Sequence, residues 1–400
     1  MANALLVTLI ALLLAYLISE IFRYFSLPRV IGQILAGIIL GIPIIKNWLF
    51  TSEILSVFSY ITNIGIILLF FFIGLEINLN QFRRNFRESS LISIFNTLIP
   101  LTTAFLAGKY LFHFNNITSL ILGISVSVSS QAISLDILEE MKLLKSRISN
   151  LIIASGTVDD VFELLLISFL LVIFHSTTLG QASFQKLIVN IVGFVLLVMM
   201  IKILLIPFAL RIFEKEKSQA NLFMGALIIV LSMAYLSELF GVSSLIGALI
   251  AGIMVRHTLL SGTERKPWRK NEISHSIHII SFGFLIPLFF VNVGLNTSIV
   301  SIPSNILLVS VLLGIDILGT LVGTVIGVIL SKGTLAEGLI IGFGVMPKGD
   351  TEVVIATLAL NNGLISVDVF TIIIAVALLS TFLAPIIFKL LIKKYSESGN

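Results

Sequence analysis

The sequence predicts an all-α polytopic membrane protein with about 13 transmembrane helices, because its composition, its hydropathy pattern and the placement of its basic residues agree. Of the 400 residues, 57% are hydrophobic and 12% are charged, and the mean hydropathy is +1.12. A soluble globular protein would have about 25% charged residues. Apolar runs recur along the whole chain, so we expect one membrane domain over residues 1–400 and no soluble regulatory domain.

The predicted helices are apolar runs bounded by charged residues, by Gly and Pro, or by Asn and Ser. They lie near residues 3–22, 29–43, 54–77, 91–112, 117–140, 147–174, 187–213, 219–239, 243–258, 272–296, 304–331, 336–362 and 367–392. The first run lacks a basic segment before it and carries Glu20 near its end. This favours a retained helix over a cleaved signal peptide.

Composition also excludes several kinds of functional site. The chain has no cysteine, which excludes disulfides, thiolate metal sites and cysteine nucleophiles. We find no metal-ligand spacing, nucleophile elbow or phosphate loop, so we expect a protein that is not an enzyme and has no cofactor. The net charge of +4 does not indicate nucleic acid, because the basic residues concentrate in alternate loops. That bias predicts a plasma-membrane protein with its N-terminus outside and its C-terminus cytoplasmic.

Two parts of the sequence resemble each other. Residues 15–22 reappear at 234–240 with one residue deleted, residues 31–38 match 246–253, and residues 69–76 match 288–296. Three helices therefore recur seven helices later, and because seven is odd the copies cross the membrane in opposite senses. This predicts inverted repeats over about 3–174 and 219–392, joined by a helix near 187–213, as is typical of secondary transporters.

The sixth predicted helix carries the densest group of acidic residues. Asp159 and Asp160 lie near its middle, and Glu163 follows one turn later. An ionisable group at mid-membrane is costly and indicates function, and two adjacent carboxylates there can exchange a proton for a cation. We expect Asp159 and Asp160 to bind both ions, with a structural pair as the alternative. Glu163 is expected beside the site or at the helix end.

Polar segments interrupt two further predicted helices at corresponding places in the two halves. The fifth helix contains a serine-rich tract, and the twelfth contains a segment that Pro and Gly break. Two broken helices predict a site near the membrane midplane. The candidate site residues in these segments are Ser129, Ser130, Gln131, Lys348, Asp350 and Glu352. Lys348 is expected either to stabilise half-helix carbonyl ends or to pair with Asp350 or Glu352.

Four segments together resemble the monovalent cation/proton antiporter superfamily. They are residues 27–37, residues 74–76, the pair Asp159-Asp160, and Pro347–Asp350. The resemblance is to the second branch, which includes bacterial sodium/proton antiporters and potassium-efflux antiporters, and it covers essentially the whole chain. It implies a sodium/proton antiporter-like fold with two crossed, broken helices, a homodimer, and alternating access by a mobile core domain.

The resemblance also implies roles for individual residues. Asp160 corresponds to the essential cation and proton carboxylate, and Asp159 to its neighbour. The serines at 129 and 130 correspond to a polar helix break. Lys348 and Asp350 correspond to the Arg and the Glu of a Pro-Arg-Gly-Glu pattern.

Asp316, isolated in the eleventh predicted helix, departs from the family pattern. Sodium-type members have a Lys before an Ile-Leu-Gly-like stretch, and this chain has an acid there. Several carboxylates near one another require a bound cation, extra protons or another basic partner such as Lys348. We expect a protonated Asp316, or one that joins Asp159 and Asp160 in holding a cation.

These observations predict a secondary antiporter in the lipid bilayer that exchanges Na⁺ or Li⁺ for H⁺, with the two ions competing at Asp160. A K⁺/H⁺ antiporter is the alternative within transport. A membrane sensor or scaffold that has lost transport is the alternative from another class, and the acid at position 316 is the feature that favours it.

Overall fold

The computed structural model describes residues 4–24, 27–76, 86–143, 146–156, 158–159, 162–163, 166, 218–240, 244–261, 267–299 and 301–397. Its helices are α1 Ala4–Tyr24, α2 Arg29–Leu40, α3 Pro43–Leu49, α4 Ser52–Glu76, α5 Phe86–Leu106, α6 Asn116–Ser127, α7 Ala132–Glu140, α8 Gln219–Leu239, α9 Ser244–Ser261, α10 Pro267–Ile280, α11 Ile286–Asn296, α12 Ser301–Ser304, α13 Ile306–Leu330, α14 Leu335–Val345, α15 Asp350–Asn361 and α16 Val367–Glu397. We call the helical residues 147–156, 158–159, 162–163 and 166 the aspartate segment.

The described helices confirm an all-α, multi-pass membrane protein. Seven continuous helical stretches of the described chain are long and apolar enough to cross a bilayer, or eight if α2 and α3 form one bent span. Two of these stretches include a π-helical turn, which extends α5 at Ala107–Leu111 and joins α10 to α11 at Ser281–Leu285. Shorter apolar helices occur at Asn116–Ser127, Ser244–Arg256, Leu335–Val345 and Thr351–Asn361. The helix expected near 187–213 lies outside the described residues, as does the end of the one expected at 147–174.

The helix predicted at 29–43 is shorter than expected. It ends at Leu40, and a second helix begins at Pro43 with a bend of 82° between them. Proline disfavours helical geometry in the residue before it and is well suited to the first position of a new helix. The Pro at 43 therefore starts a second helix in a run that hydropathy alone extends through it.

One compact unit comprises residues 1–13, 47–78 and 168–292. In it α4 packs against α9, and Gly74 lies against the backbone of Leu249 and Gly252. A side chain at either glycine would overlap backbone atoms, so glycine permits this close helix crossing. Arg256 donates to the carbonyl oxygen of Leu75 at 2.9 Å and so satisfies the end of α4.

The other compact unit comprises residues 14–46, 79–167 and 293–400. Its long helix α13 packs along α5, where small residues on α13 lie against α5 backbone. These small residues are spaced by four and are Gly319, Gly323 and Gly327. Elsewhere in this unit Gly294 lies against the backbone of Ile34 and Gly37, and Lys46 donates to the carbonyl of Leu295 at 3.0 Å.

Two apolar helical stretches of this unit are interrupted where they meet. One break separates α6 from α7, and the other separates α14 from α15. The backbone N–H of Ser130 donates to the carbonyl oxygens of Pro347 at 2.7 Å and Val345 at 3.3 Å. Ser134 adds a 2.5 Å hydrogen bond to the carbonyl of Gly344. Each break therefore satisfies backbone groups that the other leaves without an intrahelical partner.

Candidate functional site

Asp159 is buried in a set of neutral hydrogen-bond donors, which we call the polar cradle: Ser93, Asn96, Thr97 and Ser129. The Oδ1 atom of Asp159 accepts from Ser93 Oγ at 2.5 Å and from Thr97 Oγ1 at 3.4 Å. Its Oδ2 atom accepts from Ser129 Oγ at 3.1 Å and from Asn96 Nδ2 at 3.3 Å. Hydrogen bonds of this kind stabilise a carboxylate without neutralising its charge.

Three members of the polar cradle come from α5, and the sequence reasoning missed them. Ser93, Asn96 and Thr97 are all buried, and their spacing of i, i+3 and i+4 puts them on one face of the helix. Polar residues at this spacing within an apolar span are a signal of an inward-facing surface. Because Ser93, Asn96 and Thr97 are neutral and do not break the helix, acidic and helix-breaking residues alone do not reveal them.

Ser129 joins the break after α6 to the aspartate segment. Its hydroxyl belongs to the polar cradle, and its backbone N–H donates to Glu163 Oε1 at 2.7 Å. Glu163 is buried, which places it beside the site, one of the two positions expected for it. The two acids of the aspartate segment thus hold one residue of the break by its side chain and by its backbone.

A second charged group lies at the same break. Lys348 Nζ donates to the carbonyl oxygens of Val126 at 2.6 Å and Val128 at 2.7 Å, and it lies 2.8 Å from Asp316 Oδ1. Glu352 is fully buried within range of the charges of Lys348 and Asp316. We call Asp316, Lys348 and Glu352 the buried triad. The expected contact of Lys348 with half-helix carbonyl ends is therefore present.

The acid that pairs with Lys348 is Asp316, a pairing that the sequence left open beside those with Asp350 and Glu352. The described ion pair is with Asp316, and not with Glu352. Of the three ways to compensate Asp316 that the sequence left open, the structure supplies the basic partner. The expectation that Asp316 joins Asp159 and Asp160 in holding a cation stays a prediction, because Asp160 lies outside the described residues.

A polar connection runs between the polar cradle and α13. Asn96 donates to Asp159 and accepts from Thr324 Oγ1 at 3.4 Å. Thr320 and Thr324 follow Asp316 at successive steps of four residues, so all three lie on one face of α13.

The remaining candidate residues are placed as follows. Asp160 lies outside the described residues, and so does the side chain of Asp350. Gln131 lies against Gly156 of the aspartate segment, and among the described residues its buried Oε1 atom has no hydrogen-bond partner. Ser130 contributes the backbone contact between the two breaks, with its side chain next to Gly349.

Comparison with known proteins decides the family. A family model described as "Sodium/hydrogen exchanger, transmembrane" matches residues 8–394. The chain belongs to the sodium/hydrogen exchanger family. Members of this family are secondary transporters, so the predictions of a cation/proton antiporter and of a protein that is not an enzyme are confirmed. The predicted resemblance to the monovalent cation/proton antiporter superfamily is confirmed as well.

Individual relatives of the chain span nearly its whole length. It is 29% identical over 376 residues to the Na(+)/H(+) antiporter of Enterococcus hirae, covering 94% of each protein. It is 27% identical to the Na(+)/H(+)-K(+) antiporter GerN of Bacillus cereus, covering 90% of this chain and 88% of that one. The solved structure of the sodium proton antiporter MjNhaP1 from Methanocaldococcus jannaschii matches with a TM-score of 0.64 at 17% identity, covering 97% of each chain, which shows the same fold.

Proposed function

We propose that this chain exchanges sodium for protons by alternating access, with both ions competing for the Asp159–Asp160 pair. The observation that carries the proposal is the burial of Asp159 among oxygen-bearing side chains next to a broken helix. An ionised carboxylate in that position needs a counter-ion, and either a proton or a small cation supplies it. Because one positive charge satisfies the carboxylate, binding of one ion favours release of the other.

The chemistry of the polar cradle fits a hard monovalent cation. Its hydroxyls donate to Asp159 when no cation is bound, and rotation about the C–O bond turns an oxygen lone pair toward a cation. Carboxylate, hydroxyl and amide oxygens are the ligands that hard cations take. The resemblance assigns the essential carboxylate to Asp160 and the neighbouring position to Asp159, and we adopt that assignment.

The proposal includes the finer features of the fold, namely about 13 helices and the inverted repeats joined by a linker helix. Corresponding glycines make corresponding contacts, which supports the repeat. Gly74 lies against Gly252 in one unit, and Gly294 lies against Gly37 in the other. The sequence match pairs 74 with 294 and 252 with 37. Each copy therefore packs its third helix against the second helix of the other copy, as symmetry-related repeats require.

We further propose a homodimer in the plasma membrane with the N-terminus outside and the C-terminus in the cytoplasm. The resemblance supports the dimer and the crossed, broken helices. The concentration of Lys and Arg in alternate loops supports the orientation, because positive loops remain on the cytoplasmic side.

Potassium is the second candidate ion, since a relative of this chain is named an Na(+)/H(+)-K(+) antiporter. A cation panel tests the choice. Purified protein in liposomes with a pH-sensitive dye inside receives Na⁺, Li⁺ or K⁺ outside, with and without a membrane potential. We expect Na⁺ and Li⁺ to drive proton movement. A response to K⁺ alone would replace sodium by potassium, and no response to any of the three would overturn the transport proposal.

A further inference from the structure

The ammonium of Lys348 makes two hydrogen bonds and one ion pair among the described residues. A lysine ammonium has three N–H donors. The carbonyl oxygens of Val126 and Val128 take two of them, and Asp316 lies at ion-pair distance from the ammonium nitrogen. These contacts measure 2.6, 2.7 and 2.8 Å, close to the usual distances for an ammonium donor. The single positive charge of Lys348 is therefore paired with one acid, Asp316.

Glu352 is the second acid, and its contacts differ from those of Asp316. Its side chain is fully buried, and among the described residues neither carboxylate oxygen has a hydrogen-bond partner. Within the described part of the chain, the charged groups that interact with it electrostatically are Lys348 and Asp316. Two carboxylates next to one ammonium would leave a net negative charge in a low-dielectric environment, which is strongly unfavourable.

We propose that the buried triad is a second proton-binding site, in which Asp316 and Glu352 share one proton and Lys348 pairs with whichever acid is ionised. In the arrangement described here Lys348 pairs with Asp316, so the proton resides on Glu352. When the proton moves to Asp316, the ammonium turns to Glu352. The triad is neutral in both arrangements, and release of the proton to water leaves it with one negative charge.

This second site is connected to the polar cradle through one short segment. Lys348 holds the Val128 carbonyl, and the next residue, Ser129, holds Asp159 and Glu163. A change in the partner of Lys348 would therefore shift the Val128 carbonyl and, with it, the position of Ser129. Loss of the triad proton also adds a negative charge to the same unit, which favours the binding of a cation at Asp159.

Infrared spectroscopy of the purified protein tests the shared proton without relying on transport. A protonated carboxyl group gives a C=O band that an ionised carboxylate lacks. We expect Glu352→Gln to remove the equivalent of one protonated carboxyl, because its remaining acid, Asp316, is then ionised beside Lys348. Asp316→Asn should remove one as well, since Glu352 becomes the ionised partner. An unchanged band in Glu352→Gln would overturn the site, and an unchanged band in Asp316→Asn would overturn the sharing.

Two variants control for structural effects. Glu352→Asp keeps the acid and should retain the band. Glu337→Gln is the matched control. Glu337 is a buried acid in the first turn of α14, as Glu352 is in the first turn of α15, but it pairs with Arg147 and caps the helix together with Thr334. Glutamine preserves that cap, so this variant should leave the protonated-carboxyl band unchanged. A band lost equally in Glu337→Gln would contradict the assignment to the triad.

A transport measurement tests whether this proton moves, and this part rests on the proposed function. The sodium gradient that balances a given pH gradient reports the number of protons exchanged per sodium. We expect that number to fall by one in Glu352→Gln relative to the unsubstituted protein. An unchanged number would show that the triad holds its proton throughout the cycle, which overturns its part in transport. Failure of the unsubstituted protein to exchange any cation would overturn the proposed function, whereas the infrared result would stand.

Discussion

Asp159 and Glu352 are both buried acids in the same compact unit, and the groups around them differ in kind. Asp159 accepts four hydrogen bonds from neutral side chains. Among the described residues Glu352 accepts none, and the nearby ammonium of Lys348 is used by two carbonyls and Asp316. Neutral donors stabilise a carboxylate while leaving its charge available to an arriving cation. An ammonium shared by two acids instead balances one of their charges, so the second acid binds a proton.

The comparison explains why one chain carries two buried acidic groups so close to the same helix break. A cation can replace the proton at the polar cradle because the donors there rotate and carry no charge. In the buried triad the positive charge is covalently part of the protein, so only the proton is exchangeable. We therefore expect the first arrangement to select the transported cation and the second to set how many protons are exchanged for it.

The largest expected effect is the loss of stability when the buried triad loses its positive charge. Lys348→Met leaves two buried acids and two helix-break carbonyls without their donor, and breaking a buried ion pair in this way costs about 3–5 kcal/mol. We expect that loss in the free energy of unfolding, measured by denaturant unfolding in detergent micelles. Lys46→Met is the control, since Lys46 also donates to a backbone carbonyl but is half-buried. It should cost about 1 kcal/mol. Equal losses in the two variants would show that the triad is not a tightly coupled unit.

A smaller effect is expected on the sodium KM, and its size should differ between members of the polar cradle. Ser93→Ala removes the 2.5 Å hydrogen bond to Asp159, whereas Thr97→Val removes the one at 3.4 Å, beyond the usual O–H···O range. A hydrogen bond to a charged group contributes about 1.5 kcal/mol or more, and roughly 1.4 kcal/mol corresponds to a tenfold change. We therefore expect the sodium KM for exchange to rise about tenfold in Ser93→Ala and less than about threefold in Thr97→Val.

The direction of the Ser93→Ala effect does not depend on which role its hydroxyl has. Loss of an oxygen ligand weakens sodium binding, and loss of a donor to the ionised carboxylate favours the competing proton. Both effects raise the sodium KM. A larger rise in Thr97→Val than in Ser93→Ala would contradict the geometry of the cradle.

Much of this arrangement was predictable from residue type and spacing. An acid in the middle of an apolar run points to function at any position, which identified Asp159 and Asp316. Pro347 and Gly349 together with the serine tract predicted the two helix breaks. The contact of Lys348 with half-helix carbonyls follows from the charge at the end of a helix.

Other features needed three-dimensional information. The sequence could not choose Asp316 over Asp350 or Glu352 as the partner of Lys348. Asp316 lies 32 positions away on another helix, and a single sequence carries no distance between helices. Asn96 was missed because a neutral residue in a span is common and its partner is again on another segment. The early end of α2 depends on local proline geometry that an average over an apolar run conceals.

The most direct test of the account is proton release from the purified protein on addition of sodium, measured with a pH indicator in weakly buffered detergent solution. The account predicts that sodium displaces protons from the unsubstituted protein and that Asp160→Asn, which keeps nearly the same volume, releases none while unfolding at a similar temperature. Proton release from folded Asp160→Asn equal to that of the unsubstituted protein would contradict competition between the two ions at the aspartate pair.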